Sequence, residues 1–477
     1  MKELSAIRIT GETSKLDEKT IKELKERLGE KLILPWDESY DETRKLWNGM
    51  INKKPALILQ CKGVADVIDS VNFARENNLL VAVRGGGHNV AGSASCDGGL
   101  MIDLSLMKGI WVDPKKRTVR AQAGVTLGEL DRETQVFELA TPLGLVTATG
   151  ISGLTLGGGL GWLSRKYGLT CDNLLSADIV TANGKCLTTS ETENPDLFWG
   201  LHGGGGNFGV VTSFEYRLHS IGPEVMVCSV FYPGDIAKDA YRFYRDFTSK
   251  APEELGSLAI FWTISDDPKF PTEFHGSPCV VFVACYLGSV EEGKRVIQPL
   301  RKFAEPIVDF SSPMPFVKAQ QLSEEDYPDG RYYYWKSIYL QNLCDEVIEE
   351  IIENALERPS PLSSVDLWHL GGAMSRVKEE ASAIAMRDAS YMVCIESNWK
   401  DPQDSEKNVS WTRQFWEKLR KYSIEGGVYL NFPGFLEESD ELMKATFGPN
   451  YKRLVALKNK YDPNNLFRLN HNIKPTK

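Results

Sequence analysis

The sequence predicts an α+β fold, and two features of the chain carry this prediction. Near the N-terminus, apolar runs at Ala56–Gln60 and Leu79–Val83 lie on either side of a helical pattern over residues 64–71, as in a βαβ unit. After Pro223 the pattern changes to alternating, aromatic-rich β runs with amphipathic helices between some of them. We therefore expect a first domain that mixes helices and strands, and a second domain built on an antiparallel sheet flanked by helices.

Local signals support further elements of the first domain. Asp17–Glu30 carries its apolar residues at helical spacing, which predicts an amphipathic helix. Ala177–Thr181 and Lys185–Thr188 flank the dipeptide Asn183-Gly184, which is typical of a two-residue hairpin turn. We expect an antiparallel pair of strands at that place.

The second domain is predicted from six β runs and three helices. The β runs are Met226–Tyr232, Leu258–Ile264, Val280–Leu287, Tyr332–Tyr339, Val365–Leu370 and Tyr391–Trp399. The helices are Ala237–Thr248, Val290–Phe303 and Glu346–Leu356. After Trp411 the chain is expected to return to the first domain. The predicted division is therefore 1–222, 223–410 and 411–477.

The charge pattern excludes several classes of partner. The 477 residues include 55 basic and 65 acidic ones, for a net charge of -10, and the basic side chains are scattered. Because nucleic acids and anionic membranes select dense Lys/Arg patches, neither is an expected partner. Leu139–Ser164, the longest uncharged stretch, is interrupted by glycines and a proline and is not expected to span a membrane. Met1–Thr10 has no apolar signal core, so we expect a cytoplasmic protein.

The cysteines indicate free thiols. Nine cysteines are scattered over the chain without a Cys-x-x-Cys motif, which argues against a disulfide scaffold and for a reducing compartment. The chain also lacks H-E-x-x-H and G-x-S-x-G motifs. We therefore expect neither a metal site nor a hydrolase with a nucleophile elbow.

Three glycines followed by a histidine form the most informative motif. Gly85, Gly86 and Gly87 come directly after a predicted strand, and His88 follows them. Consecutive glycines cost backbone entropy and provide no side-chain packing, so bare backbone must be needed here. The usual reason is the close approach of phosphate oxygens to exposed N–H groups. The motif predicts a bound nucleotide cofactor that His88 contacts.

A second glycine motif has the wrong surroundings for a nicotinamide site. Gly204–Gly209 matches G-x-G-x-x-G, which in a Rossmann unit follows a strand and opens a helix. Here the motif follows a helix-like segment, Pro195–Gly200, and precedes a predicted strand, Val210–Leu218. We therefore do not expect a nicotinamide cofactor.

Three distant segments together carry a family resemblance. They are Arg84–His88, Gly150–Trp162 with its continuation through residues 166–169, and Tyr429–Phe432. In order and spacing they resemble the vanillyl-alcohol oxidase / berberine-bridge-enzyme superfamily of flavoproteins, in particular bacterial members of the 6-hydroxy-D-nicotine oxidase type. The resemblance extends to the Asn-x-Asn-Ile ending. It implies a PCMH-type FAD-binding domain made from both chain ends, with an inserted substrate domain.

The resemblance implies FAD as the cofactor, with its pyrophosphate in the first glycine-rich loop. The loop residues assigned to the cofactor are Arg84, Gly85, Gly86, Gly87, His88 and Asn89. The resemblance also implies a covalent bond between His88 and the C8α methyl group of the flavin. Neutral imidazole is a good nucleophile near neutral pH, and its attachment would fix the flavin and make it a stronger oxidant. A histidine that caps the loop or binds a phosphate is the alternative.

The second glycine cluster and the chain end complete the implied cofactor site. The corresponding residues are Thr149, Gly150, Ser152, Gly153 and Gly161, with Val211 beside the adenine and Asn470 near the isoalloxazine. Packing of glycines against strands is the alternative for part of this cluster. Many relatives attach the flavin again through a cysteine, but Val146 stands at that position, so a single link is expected. Cys171 lies beyond the motif and is interpreted as a packed core residue.

Tyr429 and Asn431 are the candidate catalytic residues. The resemblance places Tyr429 at the flavin face, where it would act as a base toward a substrate hydroxyl. A free phenol has a pKa of about 10, so that role requires a lowered pKa or an assisting group. Asn431 is expected on the same side of a strand, where it would orient the substrate. Simple packing is the alternative for Tyr429.

The implied reaction oxidises a small molecule at a carbon that bears a hydroxyl or an amine. Hydride would pass to the flavin, and dioxygen would then accept the electrons and give hydrogen peroxide. A dehydrogenase with another electron acceptor is one alternative, and a binding protein with a structural flavin is another. The aromatic cluster Tyr332–Trp335 is expected either to line the substrate pocket or to pack in a core.

Overall fold

The computed structural model describes residues 4–424, 426–435 and 440–476. Its strands, numbered in chain order, are β1 (Leu4–Ile7), β2 (Thr13–Leu16), β3 (Leu32–Ile33), β4 (Leu57–Gln60), β5 (Val81–Arg84), β6 (Leu100–Asp103), β7 (Ile110–Asp113), β8 (Thr118–Gln122), β9 (Leu139–Ala140), β10 (Leu174–Thr181), β11 (Cys186–Ser190), β12 (Gly209–Arg217), β13 (His219–Ser220), β14 (Glu224–Pro233), β15 (Leu255–Thr263), β16 (Pro278–Tyr286), β17 (Val308–Asp309), β18 (Ser312–Pro315), β19 (Tyr332–Leu340), β20 (Ser364–His369) and β21 (Tyr391–Trp399).

Its α-helices are numbered in the same way. They are α1 (Glu18–Leu28), α2 (Tyr40–Thr43), α3 (Val64–Glu76), α4 (Leu127–Gln135), α5 (Ile151–Leu156), α6 (Ser164–Tyr167), α7 (Pro195–Leu201), α8 (Ala237–Thr248), α9 (Val290–Arg301), α10 (Phe316–Ala319), α11 (Asp345–Leu356), α12 (Ala373–Arg376), α13 (Ser405–Leu419), α14 (Asp440–Phe447) and α15 (Tyr451–Tyr461). No helix in the described ranges is long and apolar enough to cross a bilayer.

A four-stranded sheet contains the predicted βαβ unit. Its order is β3-β4-β6-β5, with β6 parallel to both β4 and β5. Helix α3 crosses from β4 to β5, so the prediction is confirmed, with β6 inserted between the two strands. Strand β5 begins at Val81 because the preceding residues pair instead with the N-terminal segment, where the Leu80 N–H donates to the Ile7 carbonyl at 2.9 Å. Its last residue is Arg84, so the strand delivers the glycine loop directly.

A five-stranded antiparallel sheet completes the first unit. Its order is β11-β10-β12-β8-β7. The predicted hairpin is present as β10 and β11, and Gly184 in its turn has a φ of +76°, which glycine adopts without strain. Helix α3 contacts strands of both sheets, and the two share one apolar core.

The eight-stranded antiparallel sheet forms the second unit and contains all six predicted strands. Its main path is β17-β14-β16-β15-β20-β21-β19, with β18 pairing on β14. Alternation along β15 separates its two faces: Ala259 and Phe261 pack in the helix-covered core, whereas Leu258, Ile260 and Trp262 lie on the opposite face. That opposite face is turned toward the first unit. The α+β fold class with an inserted antiparallel sheet is confirmed.

The chain end returns to the first unit. Helix α13 packs on β19 and β21, and the predicted boundary at residues 410/411 lies within it. The chain still contacts β19 beyond this helix, where the Ile424 N–H donates to the Tyr339 carbonyl at 3.1 Å and the Gly434 N–H to the Trp335 carbonyl at 2.7 Å. We therefore propose that the chain leaves this sheet after Gly434. Helix α15 then contacts α7. The Asn207 side chain holds the tail by donating to the His471 carbonyl at 3.0 Å and accepting from the Ile473 N–H at 3.0 Å.

Candidate active site

A cavity of about 420 Å³ lies between the glycine-rich loops of the first unit and the open face of the eight-stranded sheet. The glycine loops supply one wall, and side chains from β14, β15, β16, β20 and β21 supply the other. Most of the predicted site residues meet here. Those that line the cavity are Gly85, Gly86, Gly87, His88, Asn89, Thr149, Gly150, Ser152, Gly153, Val211, Tyr429, Asn431 and Asn470.

Arg84 anchors the first glycine loop from behind and does not line the cavity. Its Nε donates to Asp103 Oδ1 at 2.9 Å, and a second guanidinium nitrogen pairs with Asp103 Oδ2 at 2.5 Å. The guanidinium also donates to the carbonyls of Thr43 and Lys45. Because these partners occupy the side chain, its contact with the cofactor stays a prediction. Arg84 instead fixes the end of β5 and thereby the start of the loop.

Gly86 and Gly150 bring the two glycine loops into backbone contact. A Cβ atom on Gly86 would lie 2.3 Å from the Gly150 nitrogen, and a Cβ on Gly150 would lie 2.3 Å from the Gly86 nitrogen. Only glycine at both positions permits this approach. The N–H groups of Gly85, Gly86 and Gly87 have no hydrogen-bond acceptor within the described chain. They form a cradle of donors that fits the pyrophosphate of a dinucleotide.

The ring of His88 is held by stacking. It lies 3.9 Å from the Trp47 ring, centroid to centroid, at an interplanar angle of 18°, and Trp47 stacks on Tyr333 at 3.7 Å on its other side. Burial lowers the pKa of His88 to about 3, so the imidazole is neutral at physiological pH. Its Nε2 atom is buried without a hydrogen-bond partner among the described residues. A neutral, fixed ring with an unpartnered nitrogen has the chemistry of a nucleophile.

The second glycine cluster serves partly the cavity and partly packing. Ser152 faces the cavity, and its hydroxyl donates to the Ala123 carbonyl, which fixes the start of α5. Gly161 lies outside the cavity lining, because it packs so closely on the Leu143 carbonyl that a Cβ atom would lie 1.9 Å from its oxygen. The packing alternative therefore describes Gly161.

The rejected Rossmann-like motif contributes to the same cavity. The structure confirms its surroundings, since Gly204–Gly209 lies between α7 and β12. Gly205 and Gly206 nevertheless line the cavity, and the Gly206 carbonyl accepts a 3.1 Å hydrogen bond from Asn470 Nδ2. Sequence reasoning missed this contribution, which only the return of the chain end brings about.

Tyr429 and Asn431 lie in a tight turn and not in the predicted strand. The Phe432 N–H donates to the Tyr429 carbonyl at 3.0 Å, which closes the turn. Their side chains still meet, because Asn431 Nδ2 donates to the Tyr429 hydroxyl oxygen at 2.9 Å. Gly157 makes this possible, since a Cβ there would lie 2.1 Å from Asn431 Oδ1. The strand prediction was wrong, but the side chains of Tyr429 and Asn431 are adjacent, as that prediction required.

The Tyr429 phenol is protonated at neutral pH. Burial raises its pKa above the ordinary value, although the Asn431 amide and the Gly159 N–H partly offset that rise. The lowered pKa that a base would need is therefore absent. Because the hydroxyl oxygen accepts from Asn431, the O–H hydrogen remains available to donate into the cavity.

Acidic side chains on the sheet face were missed by the sequence analysis. Asp366 on β20 and Glu396 on β21 are buried and line the cavity, with Asp326 on a neighbouring loop. The available signal was a charged residue within each of two apolar strands, at Val365-Asp366-Leu367 and Ile395-Glu396-Ser397. The aromatic cluster Tyr332–Trp335 divides by alternation, and Trp335 is its member in the cavity lining.

The cavity lining contains no cysteine, lysine or arginine among the described residues. Val146, which stands at the position implied for a second flavin attachment, lines the cavity. Cys171 is buried in an apolar cluster. In the described part of the chain, no group of three or more His, Cys, Asp or Glu side chains could hold a metal ion. The lining therefore offers a dinucleotide mainly backbone donors, with the neutral imidazole of His88 on the same wall.

Comparison with known proteins agrees with this site. The family model described as "FAD binding domain" matches residues 55–190, and that described as "Berberine and berberine like" matches residues 428–474. The chain is 34% identical to an FAD-linked oxidoreductase of Dictyostelium discoideum over 92% of its own length and 93% of that protein. It is 31% identical to (R)-6-hydroxynicotine oxidase of Paenarthrobacter nicotinovorans, covering 93% and 96% of the two chains.

Solved structures show the same fold. The crystal structure of 6-hydroxy-D-nicotine oxidase from Arthrobacter nicotinovorans has a TM-score of 0.83 at 30% identity, covering 93% of this chain and 97% of that one. A chitooligosaccharide oxidase also has a TM-score of 0.83, covering 96% and 100% of the two chains, but its 23% identity shows the fold alone. With two relatives above 30% identity over more than nine-tenths of its length, the chain belongs to the FAD-linked oxidoreductases of the vanillyl-alcohol oxidase / berberine-bridge-enzyme superfamily.

Proposed function

We propose that this oxidoreductase removes a hydride from a small molecule at a carbon that bears a hydroxyl or an amine. The observation that carries the proposal is the presence, in one cavity, of a backbone cradle, a neutral histidine and the Tyr429–Asn431 pair. The (R)-6-hydroxynicotine oxidase to which the chain is similar supports a small organic substrate. FAD, when bound, would supply the hydride acceptor, which no amino-acid side chain provides.

The chain's own residues would hold the cofactor at three places. The N–H groups of Gly85, Gly86 and Gly87 would bind the pyrophosphate, beside Gly150 and Ser152. Val211 on β12 and Asn470 in the tail also border the cavity and would contact the remaining parts. The groups that would hold the pyrophosphate are neutral backbone donors, and the described lining residues include neither a lysine nor an arginine.

A single covalent link through His88 is part of the proposal. Three observations support it: the neutral imidazole, the unpartnered Nε2 atom and the stacking on Trp47 that fixes the ring. Val146 at the position of the second attachment supports one link and not two.

Tyr429 would orient the reacting heteroatom of the substrate by hydrogen bonding. Its phenol O–H would donate to the substrate in the cavity that Tyr429 lines, while the oxygen accepts from Asn431. Since burial raises the phenol pKa, the group would act mainly as a hydrogen-bond partner and not as a preformed phenolate. Asn431 also donates to the Leu154 carbonyl at 3.2 Å, which keeps the pair in place.

The electron acceptor is proposed to be dioxygen. Thr149 and Gly150, small residues on the cavity wall, leave space near the bound cofactor. A dehydrogenase with another acceptor is the alternative. We also propose a cytoplasmic location, which the nine free cysteines support because thiols persist in reducing compartments.

Anaerobic reduction tests the proposed function. Purified protein should be yellow, and its visible flavin bands should bleach with at least one compound from a panel of alcohols, sugars and amines. Protein that stays colourless after refolding with FAD would contradict the cofactor assignment. Flavin-loaded protein that no compound reduces would favour a binding protein with a structural flavin.

A further inference from the structure

Two buried carboxyl groups lie side by side on the cavity face of the large sheet. Asp366 is directly opposite Cys394 in the β20–β21 register, and Glu396 is opposite Ser364. The two acids are therefore diagonal neighbours on the same face, close enough to interact. Their side chains belong to residues that are only 5% and 4% exposed. Both line the cavity, on the wall opposite the glycine loops.

This acidic pair has no positive partner. The described residues that line the cavity include Asp326, Asp366 and Glu396 but neither a lysine nor an arginine. Asp366 Oδ1 is buried without a hydrogen-bond partner among the described residues, and Glu396 Oε2 accepts a 2.7 Å hydrogen bond from the neutral Tyr327 hydroxyl. Burial raises the pKa of both carboxyls, and mutual repulsion raises that of Glu396 further. Because no lysine or arginine of the described lining offsets this rise, a cation that binds beside the pair would favour the ionised carboxylates.

Aromatic rings surround the pair. Trp262, Trp335 and Trp368 line the same cavity. Trp368 lies two residues from Asp366 on the same face of β20, and its buried Nε1 has no acceptor within the described chain. Indole faces attract cations, and carboxylates inside a ring of indoles attract them more strongly than either group does alone. The wall combines the two kinds of group that recognise an organic cation.

We propose that Asp366 and Glu396 bind a protonated amine of the substrate, and that this enzyme acts on cationic, amine-bearing small molecules. The inference rests on the proposed function and narrows it, because it selects amines over sugars and uncharged alcohols. The positive charge would pair with the acids on the sheet wall, while Tyr429 orients the reacting heteroatom from the turn that lines the same cavity.

Binding of three benzyl compounds to the flavin-loaded protein tests the proposal. The probes are benzyltrimethylammonium, benzyl alcohol and benzoate, which share one ring and differ in charge. Each dissociation constant is read from the perturbation of the flavin absorption bands during titration, without any need for turnover. We expect benzyltrimethylammonium to bind at least about tenfold more tightly than benzyl alcohol, and benzoate to bind more weakly than either.

Variants separate this effect from general damage. The double variant Asp366→Asn, Glu396→Gln keeps the side-chain shapes and should reduce the preference for the cation to about threefold or less, with the affinity for benzyl alcohol unchanged. Asp131→Asn is the matched control, because Asp131 is a buried carboxyl held by Gln320 outside the cavity. It should leave the preference intact.

The outcomes distinguish the two levels of the proposal. An affinity for benzyltrimethylammonium no higher than that for benzyl alcohol, including no measurable cation binding, would overturn the inference while the oxidoreductase assignment stands. A cation preference that survives in the double variant would also overturn it. Protein that takes up no FAD contradicts the proposed function instead.

Discussion

At the scale of single residues, the site depends on how neighbours set the state of one side chain. His88 is neutral because it is buried, and it is fixed because Trp47 stacks on it. Tyr429 keeps its proton because it is buried, and its oxygen is held by Asn431. The motif identified both residues, but only the structure supplies their protonation states.

Replacing His88 by alanine should abolish covalent attachment. The variant would still bind FAD through the backbone cradle, but the flavin should be released when the protein is denatured and precipitated, because no nucleophile remains. The measurement is flavin absorbance in the pellet and supernatant. Cys171→Ala is the control and should retain attached flavin, since Cys171 is fully buried away from the cavity. Release of flavin from denatured wild-type protein would refute the link.

Replacing Tyr429 by phenylalanine should slow flavin reduction by about 10²–10⁴-fold while leaving the cofactor bound. The loss arises because the substrate heteroatom loses the phenol that orients it by hydrogen bonding. Rates come from anaerobic stopped-flow absorbance with a substrate identified by the panel. Tyr339→Phe makes the same chemical change at a nearby half-buried tyrosine outside the cavity lining, and its rate should stay near normal. A near-normal rate in Tyr429→Phe would remove that residue from the mechanism.

At the scale of elements, the site is a contact between loops that follow regular structure. Strand β5 delivers the first loop, and the second loop leads into α5. Their contact at Gly86 and Gly150 leaves no room for a side chain on either. Cofactor binding by this cradle should therefore depend on the spacing of the two loops as much as on the residues in them.

Gly86→Ala should separate the loops and reduce the FAD content. The added methyl would meet the Gly150 backbone at 2.3 Å, and overpacking of this kind costs about 1–3 kcal/mol in the free energy of unfolding. The flavin-to-protein absorbance ratio measures the effect. Gly63→Ala is the control, since a Cβ there has no neighbour within 4 Å, and it should keep full flavin content. An unchanged ratio in Gly86→Ala would show that the loop contact is dispensable.

Periodicity predicted the strands of the large sheet because each has one face in a core and one toward the cavity. It failed at Tyr429–Asn431, where alternate polar residues arise from a turn and not from a strand. Periodicity also failed at Asp366 and Glu396, because the proximity of these two acids depends on the register of β20 against β21. The anchoring role of Arg84 was missed because its partner Asp103 lies on β6, a neighbour that no local pattern reveals.

At the scale of the whole molecule, buried ion pairs join distant parts of the chain. Arg387 donates to both carboxylate oxygens of Asp172 at 2.8 Å, across 215 residues. Both side chains are almost fully buried, so removing one of them leaves an uncompensated charge in the interior.

Arg387→Ala should lower the free energy of unfolding by about 3–5 kcal/mol. Urea denaturation followed by tryptophan fluorescence measures it. The control is Arg376→Ala, which removes an ion pair with Glu253 that is well exposed to solvent and should change stability little. A small effect of Arg387→Ala would mean that Asp172 finds another partner.

Reoxidation in air distinguishes the two acceptors for the enzyme as a whole. After reduction by substrate, mixing with aerated buffer should restore the oxidised spectrum within the time of one turnover and release hydrogen peroxide. Stopped-flow absorbance and a peroxide assay report these events. Reoxidation far slower than turnover would favour a dehydrogenase that passes electrons to a different acceptor.

The stack of His88, Trp47 and Tyr333 has a consequence for maturation. Its three rings come from the loop before β4, the loop after β5 and a strand of the large sheet, so the imidazole is immobilised only after all three stretches have docked. The covalent bond between protein and cofactor should consequently form late in folding. A polypeptide with covalently attached flavin would be one in which the first unit and the large sheet have already docked.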